Sequence, residues 1–132
     1  MADLNYFVIL IAAVVSMALG MIWYSQRAFG AHWAKLQGIS KEEMEAGSKE
    51  GMGLTILTGF LLQVVVAGAF NYTLNVSGIN PYCVALLFAI GVMFPVMADG
   101  SLWEKRPWGI FWINFSYRLV SLLVTALIFS IA

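Results

Sequence analysis

Apolar positions along the chain gather into long blocks separated by short polar stretches. Nearly every residue from Tyr6 to Tyr24 is apolar, Gly51 to Ala98 contains no charged residue, and Pro107 to Ala132 is interrupted by one charge, Arg118. A helix rises about 1.5 Å per residue, so a hydrocarbon layer of about 30 Å is crossed by roughly 20 apolar residues. The middle block is too long for a single crossing. It is divided by Asn75-Val-Ser-Gly-Ile-Asn-Pro81, which is turn chemistry followed by a proline suited to a first helical turn. The pattern predicts four spans at about 6–24, 53–74, 81–99 and 108–131, joined by polar loops at 25–52 and 100–107. Because lipid offers no partner to backbone N–H and C=O groups, spans of this kind are helices. The expected fold is all-α: one membrane domain, 1–132, built as a four-helix bundle.

The loop 25–52 carries further local signals. Phe29, Trp33 and Leu36 recur at spacings of four and three, which suits a short helix lying in the membrane interface. Ser40-Lys-Glu-Glu43 has the form of a capping box, and a second short helix is expected from Lys41 to about Glu50. The charges of the loop are mixed, so it reads as a structured linker rather than a docking surface.

Composition adds to this picture mainly by exclusion. Hydrophobic residues make up 61% of the chain, with a mean hydropathy of +0.86, against roughly 45–50% apolar usage in soluble domains. The formal net charge is zero and only 11% of residues are charged, so no basic surface exists for neutralising phosphates and nucleic acid is not an expected partner. The lone Cys83 has no disulfide partner within the chain, and the lone His32 lacks the Cys/His spacing of a metal site. No metal and no cofactor are expected. Asp3 stands where a signal peptide carries Lys or Arg, so the first span is expected to be retained.

Orientation follows from the basic residues, which are kept on the cytoplasmic side when they lie in short loops. Arg27, Lys35, Lys41 and Lys49 lie in the first loop, and Lys105 and Arg106 lie in the last. Both termini and the 75–81 turn carry none, which predicts termini outside and these two loops in the cytoplasm. Trp103, Trp108 and Trp112, with Phe111, cluster at the cytoplasmic start of the fourth span as expected interfacial anchors. Asn71-Tyr-Thr73 and Asn75-Val-Ser77 match the glycosylation tripeptide near the outer turn.

The candidate chemistry lies at membrane depth. Arg118 is eleven residues into the fourth span, or roughly 16 Å, close to the midplane. Gln63 and Ser16 come to a similar level in the second and first spans. An arginine there costs about 2.5–3.5 kcal/mol on insertion scales, so it is expected to face protein or water. Asn114, Arg118, Ser121 and Thr125 share one helix face, opposite small-residue ridges at Ala12, Ser16 and Gly20 and at Gly51, Thr55, Gly59, Gln63, Ala67 and Asn71. Asp99 is the candidate counter-charge for Arg118. Its estimated offset along the membrane normal is about 10–12 Å, so a kink is needed, and Pro95 is placed to supply one. The polar cluster Arg118, Asn114, Gln63, Ser16 and Asp99 is therefore either interhelical glue or a ligand site. None of these residues forms a nucleophile–base pair or a metal set, so no catalytic residue is assigned.

Gly20-Met-Ile-Trp-Tyr-Ser25, Phe29-Gly30, Trp33 and Gly38-Ile-Ser-Lys-Glu-Glu-Met44, with Leu102-Trp-Glu-Lys-Arg106, Ile113-Asn114, Tyr117 and Leu119-Val-Ser-Leu-Leu123, resemble the bacterial membrane proteins grouped as domain of unknown function 1761. The resemblance runs from about Gly20 to the end and implies a small four-span protein of the inner membrane without an assigned activity. The expected role is a structural or accessory bundle that self-associates as a homo-oligomer or joins a larger membrane complex. The alternative is an oligomeric carrier or channel that binds a small anionic ligand at the midplane cluster. An enzyme is the least expected class.

Overall fold

The computed structural model describes residues 4–25, 27–40, 42 and 52–132. Every regular element among them is helical: α1 Tyr6–Trp23, α2 Gly30–Gln37, α3 Met52–Ser77, α4 Pro81–Trp103 and α5 Trp108–Ile131. Four of these, α1, α3 from Gly53, α4 and α5, have the length and apolarity to cross a membrane. Ser40 is described, but Lys41 and Glu43 are not, so the expected capping box and the helix from Lys41 to about Glu50 lie outside the described residues.

Local chemistry sets the helix ends. The Asn5 side chain caps α1 by accepting from the Val8 amide at 3.2 Å. Asn80 accepts from the Tyr82 amide at 2.8 Å and is followed by Pro81 at the first position of α4, where a missing N–H costs nothing. Gly38 (φ 75°) ends α2 and Gly78 (φ 67°) follows α3, both in the left-handed region that closes a helix C-terminus without a Cβ penalty.

α4 departs from the regular helix the pattern suggests. Leu87–Met93 is π-helical, and the Phe94 amide reaches back five residues to the Ala89 carbonyl. Pro95 has no N–H to donate and its ring crowds the preceding turn, so a widened turn just before it lets the helix continue. It runs on to Trp103, four residues beyond the expected end at 99.

Around the bundle, α1 packs against α3 and α5, α5 also packs against α4, and α4 meets α3 through its first segment. The two ends of the molecule differ accordingly. At the terminal end, Phe70 stacks on Phe129 at 5.7 Å and joins Val84, Ala85, Ala89, Leu122 and Ala126 in the main core. Ile9, Ala12 and Ala67 form a second cluster between α1 and α3. Small side chains such as Ala12, Ala67, Ala85 and Ala89 sit at these contacts and let the helices pack closely. At the loop end, α2 folds back onto the start of α5, with Leu36 against the backbone at Gly109. Its Trp33 ring meets Tyr24 edge-on at 5.8 Å. The expected interfacial helix is thus packed against the bundle. Phe111, expected as an anchor, is buried instead, between Phe94 and Phe115, whereas Trp103, Trp108 and Trp112 are exposed. Asn71, the first residue of one glycosylation tripeptide, is also buried, and accepts from the Asn5 amide at 2.8 Å.

Candidate functional site

The polar residues at depth meet where α1, α3 and α5 converge. Ser16 on α1 is buried and accepts from the Ser121 hydroxyl on α5 at 2.9 Å, while its carbonyl accepts from the Tyr117 hydroxyl at 2.7 Å. The approach is close because Gly20 follows one turn later: a Cβ there would stand 3.0 Å from the Tyr117 hydroxyl. One turn nearer the loop end, Tyr24 donates to Asn114 Oδ1 at 2.5 Å and Trp23 Nε1 donates to the Ile113 carbonyl at 3.2 Å. These bonds tie α1 to α5 along nearly half its length.

Arg118 makes the third link. Its Nη1 donates to Gln63 Oε1 at 3.0 Å, joining α5 to α3, and its guanidinium carbon lies 5.2 Å from the centre of the Tyr117 ring. Gln63 is buried and Arg118 half-buried. The Tyr24 and Tyr117 rings meet edge-on at 5.7 Å, so the two tyrosines, Asn114 and Arg118 form one continuous group.

Asp99 stands apart from it. It is exposed near the loop end of α4, and among the described residues Arg118 has no ion pair. The partner that Arg118 meets is Gln63 on α3, not Asp99 on α4. The ion pair among the described residues joins Arg106 and Glu104 at 2.7 Å, with both side chains more than half exposed; at such exposure it contributes little to stability. Among the described residues no three His, Cys, Asp or Glu side chains gather as metal ligands; His32 and Cys83 are exposed.

Four of the five expected cluster residues, Ser16, Gln63, Asn114 and Arg118, therefore sit in one interhelical network, and Asp99 does not join it. The residues that sequence reasoning left out are the tyrosines. Tyr117 is three residues after Asn114 and four before Ser121, the spacing of one helix face, and that spacing is the signal that places it against α1. Tyr24 reads as an interfacial aromatic, and only the fold turns its hydroxyl toward Asn114.

The sequence matches the family described as "Protein of unknown function (DUF1761)" over residues 7–130. The chain belongs to the DUF1761 family. That stretch contains almost all of the four apolar helices and every residue of the α1–α3–α5 network. No curated protein and no solved structure matches the chain.

Proposed function

We propose that this DUF1761 protein is an inner-membrane bundle with a structural or accessory role, self-associating or built into a larger membrane complex, and without a reaction of its own. The observation that carries this reading is that polar side chains at depth are engaged with one another across helices: Ser16 with Ser121 and Tyr117, Asn114 with Tyr24, Gln63 with Arg118. Groups spent on interhelical bonds fix a scaffold. The half-buried Arg118 supports assembly, because a guanidinium at membrane depth is stable only against protein or water. In this reading both termini and the Gly78–Asn80 turn face outward, and α2 and residues 104–107 face the cytoplasm, as the basic residues of those loops favour.

Native mass spectrometry of the full chain, released in mild detergent, tests the role. A defined homo-oligomer or a complex of fixed composition is the expected result, and a monodisperse monomer would refute it.

A second reading, an oligomeric carrier or channel for a small anion, draws support from Arg118, which has no acidic partner among the described residues.

A further inference from the structure

The loop half of α4, Phe94–Trp103, and the first two turns of α5 border a cavity of about 400 Å³. That is within the roughly 300–1,000 Å³ of small-molecule sites. Gly100 makes room for it, since a Cβ there would meet only Glu104 Oε2, at 3.9 Å. The lining changes character along the helices. Met97, Ile110 and Phe111 form an apolar inner wall, and the charged groups, Asp99, Glu104 and Arg106, stand at the mouth on the loop side. Asn114, the lining residue farthest along α5, is already engaged by Tyr24.

The mouth carries an excess of negative charge. Its two carboxylates face one guanidinium; Glu104 holds Arg106 at 2.7 Å, and among the described residues Asp99 has no ion pair. Lys105 is not part of the lining. A second feature is independent of these charges. Ser101 lines the same cavity and is only 7% exposed, yet its hydroxyl has no hydrogen-bond partner among the described residues. Elsewhere in the bundle a helical hydroxyl bonds the carbonyl one turn back, as Thr73, Ser77 and Thr125 do. Burying a hydroxyl unbonded is costly, and the open side of Ser101 is the cavity.

We propose that this cavity binds an amphiphilic ammonium. Its N–H groups donate to the Asp99 carboxylate and the Ser101 hydroxyl, which flank Gly100, and its apolar body lies against Met97 and Phe111. The lining matches such a molecule end for end, with charge at the mouth and hydrocarbon within. The site is separate from the Arg118–Gln63 link. It goes beyond the accessory role and is independent of it, since a bundle can assemble with or without such a ligand. A soluble organic amine and the headgroup of phosphatidylethanolamine share the required chemistry.

The test uses the full chain in phosphatidylcholine nanodiscs, titrated calorimetrically with phenethylamine and with its uncharged analogue 2-phenylethanol. Three variants address the site, with circular dichroism to confirm their fold. Asp99→Asn removes the charge at an exposed position, Ser101→Ala removes the buried hydroxyl, and Gly100→Leu fills the cavity. Saturable binding of phenethylamine to the wild type is expected, about tenfold tighter than that of 2-phenylethanol. It should weaken about tenfold in Asp99→Asn and Gly100→Leu, and about threefold in Ser101→Ala. If phosphatidylethanolamine in the disc displaces phenethylamine and stays with the wild type but not with Gly100→Leu in native mass spectrometry, the same site stands, with a lipid headgroup as its occupant. Phenethylamine binding undiminished beside that lipid makes a soluble amine the occupant. Equal affinity for the two probes, unchanged binding in any of the folded variants, or a wild type that retains neither phenethylamine nor phosphatidylethanolamine would overturn the proposal. The oligomer count in the same spectra reports on assembly separately.

Discussion

Tyr117 joins α1 and α5 through both its hydroxyl and its ring. Its hydroxyl ends on the Ser16 carbonyl, its ring meets Tyr24 edge-on, and its face carries the Arg118 guanidinium. Interhelical hydrogen bonds in lipid average about 0.6 kcal/mol and reach about 1.7, because the separated helices also find partners. Tyr117→Phe keeps the ring and removes the hydroxyl, so it is expected to lower unfolding free energy in detergent by about 0.6–1.7 kcal/mol while leaving helix content unchanged. Steric unfolding titrations followed by circular dichroism would show it; a variant as stable as the wild type would mean that the hydroxyl is not a tie. At this scale the sequence was partly legible. Ser16, Gln63, Asn114 and Arg118 were marked by being polar where the chain is otherwise apolar. The choice of Gln63 over Asp99 as the partner of Arg118 was not, because it depends on which helices lie across the bundle from one another.

Among the elements, the four long helices could be read directly, since a run of about 20 apolar residues has few other solutions. α2 was readable from Phe29, Trp33 and Leu36, but its resting place was not. The spacing that suits a membrane interface also suits a groove on protein, and Leu36 settles against Gly109, where the lack of a side chain leaves room for it: a Cβ there would be 2.6 Å from Leu36 Cδ1. Leu36→Asp is expected to release α2 from α5. Hydrogen exchange should then quicken across Gly30–Gln37 while the amides of α1 and α5 stay protected. Equal exchange in the two proteins would place the anchorage of α2 elsewhere. The π-helical stretch of α4 left no trace in the apolar pattern apart from Pro95. A proline announces that a helical bond is missing; it does not say whether the chain kinks or widens to pass it.

At the scale of the whole molecule, the arrangement follows from two unlike ends. The terminal end is closed by aromatic and alanine packing around Phe70, and the loop end is opened by the cavity between α4 and α5. Between them the hydroxyl and amide bonds of α1, α3 and α5 hold the helices at one register. Neither end was visible in the sequence, because both depend on the neighbours each helix acquires. The most direct check of this account is disulfide formation in native membranes by the Ser16→Cys/Ser121→Cys variant, with Cys83→Ser to remove the natural thiol. The two hydroxyl oxygens lie 2.9 Å apart, so rapid cross-linking within one chain is predicted. Absence of the intrachain bond, or cross-links only between copies, would contradict the clasp between α1 and α5 on which the account depends.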